Sequence, residues 1–473
     1  MEKITGFIKN KYHQKEPLKI EWLVVGIISL IAMVFFLHGD TKNLITWSIN
    51  MLDVTFEGRP FDYYAYSIEN PNMAPTPYVS GTLYSLIFWA IWNIPVWVAK
   101  QIFGVGVLKN PFVWIWGKMF LMFCLAVTLK FVYEISKFIT KDKGRAKWAM
   151  FLTASSVFTI IGVFYGGQND IVICAFATAA VYYLLKKKMG LFYLFAGMAI
   201  SVKYFFLIPY VAVILLIEKK IFKIIGKVFI GCVPTLVYWG ITRFCPMVDV
   251  AAEQGSPITV LLKEMIGGAF PVIYENSMSL FIGALLIVYL LSYLTVPEND
   301  EEKSRFVIFF IVAASMSMIV FSTFQYYRVV MLCPFIAILM VMNQMTMRIS
   351  VIMETAFSAA LYSILTIQGG EYLFISTILQ DDLIKMLWNK DIIYTSSLGR
   401  LVFGMLSEPA VTIILQICAT VVVVMSLILL VINYPRAKFK VFNIPEVEME
   451  RWIYWVRALL VLPPMIYVFM VSF

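Results

Sequence analysis

Charge is scarce in this chain. Asp, Glu, Lys and Arg make up 14% of 473 residues, against about a quarter in soluble domains, which excludes an ordinary water-soluble globule. Histidine is rarer still: His13 and His38 are the whole supply, leaving almost no material for histidine-based metal chemistry. The six cysteines are scattered, mostly inside apolar runs, with no pair at metal or redox spacing, and read as small apolar residues of helices. No internal repeat is visible, and no stretch has the composition of a separate soluble domain.

What the chain has in abundance is apolar surface. It is 61% hydrophobic with a mean hydropathy of +0.83, and long apolar runs recur from Trp22 to Val471. Runs of about 20 residues predict an all-α polytopic membrane protein. The first run follows Lys3, Lys9, Lys11, Lys15 and Lys19 and has no small-residue cleavage site, so it reads as a retained span. The formal charge of +9 suits cytoplasmic loops and requires no nucleic acid.

Lysine and arginine bias orients the spans. Span one (21–37) leaves residues 38–111 outside. The stretch 83–99, interrupted by Pro95, is taken as interfacial or re-entrant; a full crossing would put the basic cluster 137–147 outside. Spans then follow at 112–136, 148–165, 171–185, 190–202, 205–217, 224–242, 278–296, 306–322, 329–343, 350–366, 410–433 and 452–470, roughly thirteen in all. Residues 1–345 form one transmembrane module that includes the outer loop 38–111, and residues 346–473 form C-terminal helices with an outer loop at 367–409.

The loop after span one holds Asp40, Asp53, Glu57, Asp62 and Glu69 in a carboxylate-poor chain. A polar segment of that length between spans is uncommon without a function. Polar residues also gather at the outer ends of other spans: Lys118, Gln168, Asn169, Asp170, Lys203, Gln325 and Arg328. Ionisable groups at membrane depth are costly and face partners, cavities or substrates. Each has a plain alternative. Lys118 and Lys203 could reach up to headgroups, Asp170 could cap the helix that starts at Ile171, and Asp40 one that starts near Thr41. Together, acids and bases from five segments on one side suit a phosphate-bearing substrate and a reaction that needs a base.

At these residues the chain resembles the GT-C superfamily of membrane glycosyltransferases, which use polyprenyl-phosphate sugar donors. Asp40, after span one, resembles the family's catalytic carboxylate. PTPYVSGTLYSLIFWAIW resembles the segment that opens an outer interfacial helix, with Lys118 near the basic residue that starts the next span. FYGGQND, the following span, a basic turn, Ala-Gly, Lys203 and Pro209 resemble the pattern Gly-Gln-x-Asp, span, Lys, Pro. FQYYRVVMLCPF resembles a late Tyr-Arg before a proline-bearing span, here Tyr327, Arg328 and Pro334. The likeness covers residues 20–345. Prolines 75 and 77 are not adjacent, and no Asp-Asp or Asp-x-Asp pair follows span one.

The resemblance implies a GT-C-like fold and transfer of a sugar from a polyprenyl phosphate to a glycan or lipid-linked acceptor at the outer face of a bacterial plasma membrane. It implies inversion, with Asp40 as the base. It implies donor phosphate contacts from Lys203, Arg328 and Lys118, and orienting roles for Gln168, Asp170, Gln325 and Tyr327. A divalent cation, Mg or Mn, stays open as a cofactor, with no metal ligands assigned. Two other classes stay open: a polysaccharide ligase or polymerase, and a transporter of lipid-linked glycans. Midplane polar residues and repeats would mark the transporter.

Overall fold

The computed structural model describes residues 16–70, 83–247, 269–273, 276–322, 326–343, 345–368, 379–390, 404–436 and 452–472. Gln325 lies outside them, as does most of the PTPYVSGTLY stretch. The described chain is almost wholly helical: α1 (Lys19–Phe35), α2 (Gly39–Phe56), α3 (Tyr63–Glu69), α4 (Leu83–Phe103), α5 (Pro111–Thr140), α6 (Lys143–Ala154), α7 (Asp170–Leu185), α8 (Met189–Val202), α9 (Leu207–Ile217), α10 (Ile221–Thr242), α11 (Leu280–Leu294), α12 (Asp300–Phe321), α13 (Cys333–Met342), α14 (Met347–Gln368), α15 (Asp381–Trp388), α16 (Glu408–Ile432), α17 (Trp452–Leu459) and α18 (Leu462–Ser472). A short antiparallel hairpin, β1 (Ala269–Ile273) and β2 (Asn276–Ser279), precedes α11.

This is a helical, multi-pass membrane protein. A helix occupies each place where the sequence predicts a span, but they differ in reach. Among the described residues six are long and apolar enough to cross a membrane: α4, α5, α10, α12, α14 and α16. Two bent pairs raise the number to eight: α6 with 157–165 (54°), and α17 with α18 (42°). The remaining apolar helices have 10–17 residues. At 1.5 Å per residue they reach ~15–25 Å, short of the ~30 Å hydrocarbon core. That shortfall is why the count read from apolar runs exceeds the count of full-length helices.

Pro95 does not end its helix. α4 runs unbroken through it for 21 residues, longer than the predicted 83–99, and by length and composition it qualifies to cross. Proline removes one backbone donor, and flanking helices and side chains can absorb that loss. The faces of α4 differ: Ile87, Ile91, Ile94, Val98 and Ile102 are exposed, while Ser85 and Asn93 are buried. The buried face packs on α2, and the two helices run the same way. Asn93 Nδ2 donates to Ser48 Oγ (2.8 Å), and Asp53 near the end of α2 accepts from Trp97 Nε1 (2.9 Å) and Lys100 Nζ (2.5 Å).

Helix α13 and the segment 157–165 are buried throughout, whereas α10 and α16 have few buried residues. Residues 160–165 form a π-helix, in which Gly166 N–H reaches back five residues to Ile161 O (2.6 Å). Such wide turns leave carbonyls for outside partners and recur at functional sites.

The C-terminal helices are tied to this core by a buried ion pair. Arg457 on α17 clamps Glu354 on α14 with both arms of its guanidinium, Nε–Oε2 at 2.6 Å and Nη2–Oε1 at 3.0 Å. It also donates to Ser155 Oγ at the bend after α6 (2.6 Å). Both charges are buried. Removing one partner of such a pair strands the other, at a cost of about 3–5 kcal/mol, while replacing both with apolar groups is often close to neutral. Arg457→Met should therefore lower the unfolding temperature of the purified protein sharply, and adding Glu354→Leu should recover much of the loss. A double variant no more stable than Arg457→Met alone would contradict the pairing.

Candidate functional site

The π-helix and α7 are joined by Gly166-Gly167-Gln168-Asn169-Asp170, and each polar side chain of this loop reaches a different element. Gln168 Nε2 donates to Asp40 Oδ2 at the start of α2. Asn169 Oδ1 accepts from Trp89 Nε1 on α4 (2.6 Å), and its Nδ2 donates to Ser85 Oγ (3.3 Å). Asp170 Oδ2 accepts from Lys203 Nζ (2.8 Å) just past α8. Gln168, Asn169 and Asp170 are buried, so these contacts replace water that the loop cannot reach.

Gly167 permits the closest approach. Its φ is +55°, a region that costs other residues about 1–3 kcal/mol. A Cβ there would overlap the Thr41 side chain, whose Oγ1 donates to Gly167 O (3.3 Å). The loop backbone thus lies directly against the first turn of α2, one residue from Asp40.

Asp40 is the second residue of α2, and His38 is the N-cap: its Nδ1 accepts the Asp40 N–H at 3.2 Å. The capping role that Asp40 could have played is filled by His38. An acid in the first turn still gains from the exposed amides and the helix dipole. The Asp40 side chain is 42% exposed and also lies 3.6 Å from His38 Nδ1. Three of the other acids of the segment, Asp53, Glu57 and Asp62, are engaged elsewhere. Asp53 is buried and accepts from Tyr66, Trp97, Lys100 and Gln101. Glu57 and Asp62 sit on Arg59. Among them, Asp40 is the one joined to the Gly166–Asp170 loop.

Lys118 differs from expectation. Its ammonium is buried among backbone carbonyls: Ala32 (3.2 Å), Met33 (3.3 Å) and Phe36 at the end of α1, and Phe164 (2.5 Å) in the π-helix. A cation at a helix C-terminus meets the unpaired carbonyls and the negative end of the dipole. Lys118 therefore ties the chain just before Asp40 to the chain just before Gln168, and among the described residues its hydrogen bonds all go to carbonyl oxygens.

Lys203 is 15% exposed at its side chain against a fully buried Asp170. Asp170 Oδ1 makes no hydrogen bond among the described residues. The Arg328 guanidinium, nearly buried, lies 4.7 Å from the Phe205 ring, two residues after Lys203. Arg328 and Tyr327 belong to the turn Tyr326–Met331. Asp40, Gln168, Asp170, Lys203 and Arg328 are thus linked through one loop and one aromatic ring. No group of three or more His, Cys, Asp or Glu able to hold a metal ion occurs among the described residues.

One residue of this region carries no sequence signal. Gln380, buried, donates its backbone N–H to Phe35 O (2.8 Å) and its Nε2 to Pro111 O (2.8 Å). It joins the end of α1 to the start of α5. A lone glutamine in the predicted outer loop 367–409 gives nothing to distinguish it beforehand.

Compared with known proteins, the chain matches no family model, no curated protein and no solved structure.

Gly167→Ala should lower stability by about 1–3 kcal/mol, read as a fall in unfolding temperature. Gly106→Ala, at an exposed glycine with open space around it, should change little. Equal behaviour of the two variants would contradict the close approach at Thr41.

Proposed function

We propose that the chain is a GT-C-type membrane glycosyltransferase. The observation that supports this best is the sharing of one loop, through Gln168 and Asp170, by a half-exposed carboxylate and a cation: Asp40 and Lys203. In this reading the roughly thirteen helices cross the membrane, the short ones with local thinning of the bilayer, and Asp40 lies at the outer face of a bacterial plasma membrane. Helices α2 and α4 lie along that face. Six of the twelve tryptophans, Trp47, Trp89, Trp92, Trp97, Trp114 and Trp116, fall between residues 47 and 116, and tryptophan favours the membrane interface. Trp92 and Trp116 also exchange indole-to-carbonyl hydrogen bonds (2.9 and 3.1 Å) where α4 meets the first turns of α5.

The donor is a polyprenyl-phosphate sugar, with its phosphate at Lys203 and Arg328. Arginine offers a planar fork and lysine a point charge. Asp40 takes the proton of the acceptor hydroxyl as that oxygen attacks the anomeric carbon. The carbon–oxygen bond to phosphate breaks, the polyprenyl phosphate leaves with the electron pair, and the two cations stabilise the charge it gains. A single displacement inverts the anomeric centre. Gln168 fixes Asp40, Asp170 fixes Lys203, and Lys118 holds both strands that carry the base and its partner, a positioning role in place of phosphate binding. The acceptor is a glycan or lipid-linked molecule of the cell surface.

Asp40→Asn keeps the shape and an oxygen for Gln168 but removes the basicity. Transfer from a synthetic polyprenyl-phosphate donor should fall at least ~10²-fold with donor binding unchanged; near-normal turnover would remove Asp40 from the role of base. Arg328→Ala should weaken donor binding by about 1.5–3 kcal/mol, and an unchanged affinity would exclude it from the phosphate site. A single cysteine placed at Lys109 should react with an impermeant reagent from the outside; labelling from the cytoplasm would overturn the orientation.

A further inference from the structure

Helices α11, α12 and α16 enclose an apolar cavity of about 600 Å³, walled by residues such as Ile287, Leu291, Ala313, Val320, Leu427 and Leu430. Along α12 its lining runs from Phe309 to Phe321, ~18 Å at 1.5 Å per residue. That is slightly more than half of a ~30 Å hydrocarbon core, the depth of one leaflet.

At one end the character changes on all three elements at once. Beyond Thr295, Phe309 and Tyr434 of the apolar cavity, a second cavity of about 350 Å³ is lined by Glu298, Glu301, Glu302, Arg305 and Arg436, with Asn299 and Pro435. Tyr434 marks the seam, packing edge-on to Phe306 and Phe309. Arg436 pairs with Glu302 (2.7 Å) and Arg305 with Glu301 (2.9 Å). The Arg305 Nε is buried and makes no hydrogen bond among the described residues. A row of charges where three helices leave an apolar zone marks a membrane–water boundary.

We propose that this composite groove is a binding site for one bilayer phospholipid with an ammonium-bearing headgroup. One acyl chain fills the apolar cavity, the phosphodiester accepts from Arg305, and the ammonium faces the carboxylates of Glu298 and Glu301. The length of the apolar part argues for a single leaflet-deep chain, and the mixture of signs in the polar part argues for a zwitterion over a net anion. Bound there, the lipid joins α16 to α12 across the groove. The site does not depend on the role given to Asp40.

The test is native mass spectrometry of the full chain released from nanodiscs holding equal amounts of phosphatidylethanolamine and phosphatidylglycerol. Wild type is expected to retain one phosphatidylethanolamine. Ala313→Trp, which blocks the middle of the groove, should lower that retention at least tenfold, and so should Ala284→Trp at its rim, the second variant guarding against misfolding of the first. Arg305→Ala should lower it while leaving the groove open. Absence of a retained lipid in wild type would overturn the proposal, as would retention unaffected by both tryptophan variants. Equal retention of phosphatidylglycerol would overturn the headgroup assignment, and a retained polyprenyl phosphate or a lipid-free dimer would overturn the occupant.

Discussion

A polar loop buried at the end of a membrane helix depends on partners for its polar side chains, because an unpaired buried polar group costs more than a hydrogen bond returns. The Gly166–Asp170 loop draws its partners from its neighbours: Asp40 pairs with Gln168, Trp89 and Ser85 with Asn169, and Lys203 with Asp170, whose second carboxylate oxygen makes no hydrogen bond among the described residues. The same contacts therefore hold the loop and bring α2, α4 and the Lys203 turn to one place. Stability and site geometry rest here on one set of bonds. Lys118 extends the arrangement below the loop by occupying carbonyls that the end of α1 and the π-helix leave over.

Part of this was legible in the sequence. Two glycines and three polar residues closing a long apolar run stand out, as do a carboxylate after the first run and a lysine before a proline-bearing helix. Residue type and position carried that information. The partner of each group did not show, because pairing is set by helices distant in sequence. Lys118 illustrates the limit: a lysine in an apolar helix looks the same whether it meets a phosphate or a helix end, and the outcome turned on a π-helix that leaves Phe164 O available. The Arg457–Glu354 clamp spans 103 positions and Gln380 reaches Pro111 across 269; neither has a local signature.

The helix pattern was legible and its meaning for the membrane less so. Apolar runs located the helices well, but bends after α6 and α17 and helices of 10–17 residues blur the step from helix to span. Pro95 shows the opposite failure, a strong breaker that the fold absorbs within α4. The C-terminal helices, which carried no motif, prove continuous with the rest: Arg457 reaches the bend before the π-helix, and Gln380 reaches the chain before Asp40.

The central claim is that the loop presents a base and a cationic pocket for a single displacement at an anomeric carbon. It is tested most directly by the stereochemistry of the product. The purified chain, in liposomes with a polyprenyl-phosphate sugar of known anomeric configuration, should release polyprenyl phosphate and form a glycoside whose anomeric coupling in NMR shows the opposite configuration. A glycoside of retained configuration would contradict the single displacement, and failure to consume any polyprenyl-phosphate sugar across hexose and pentose donors would contradict the transferase itself.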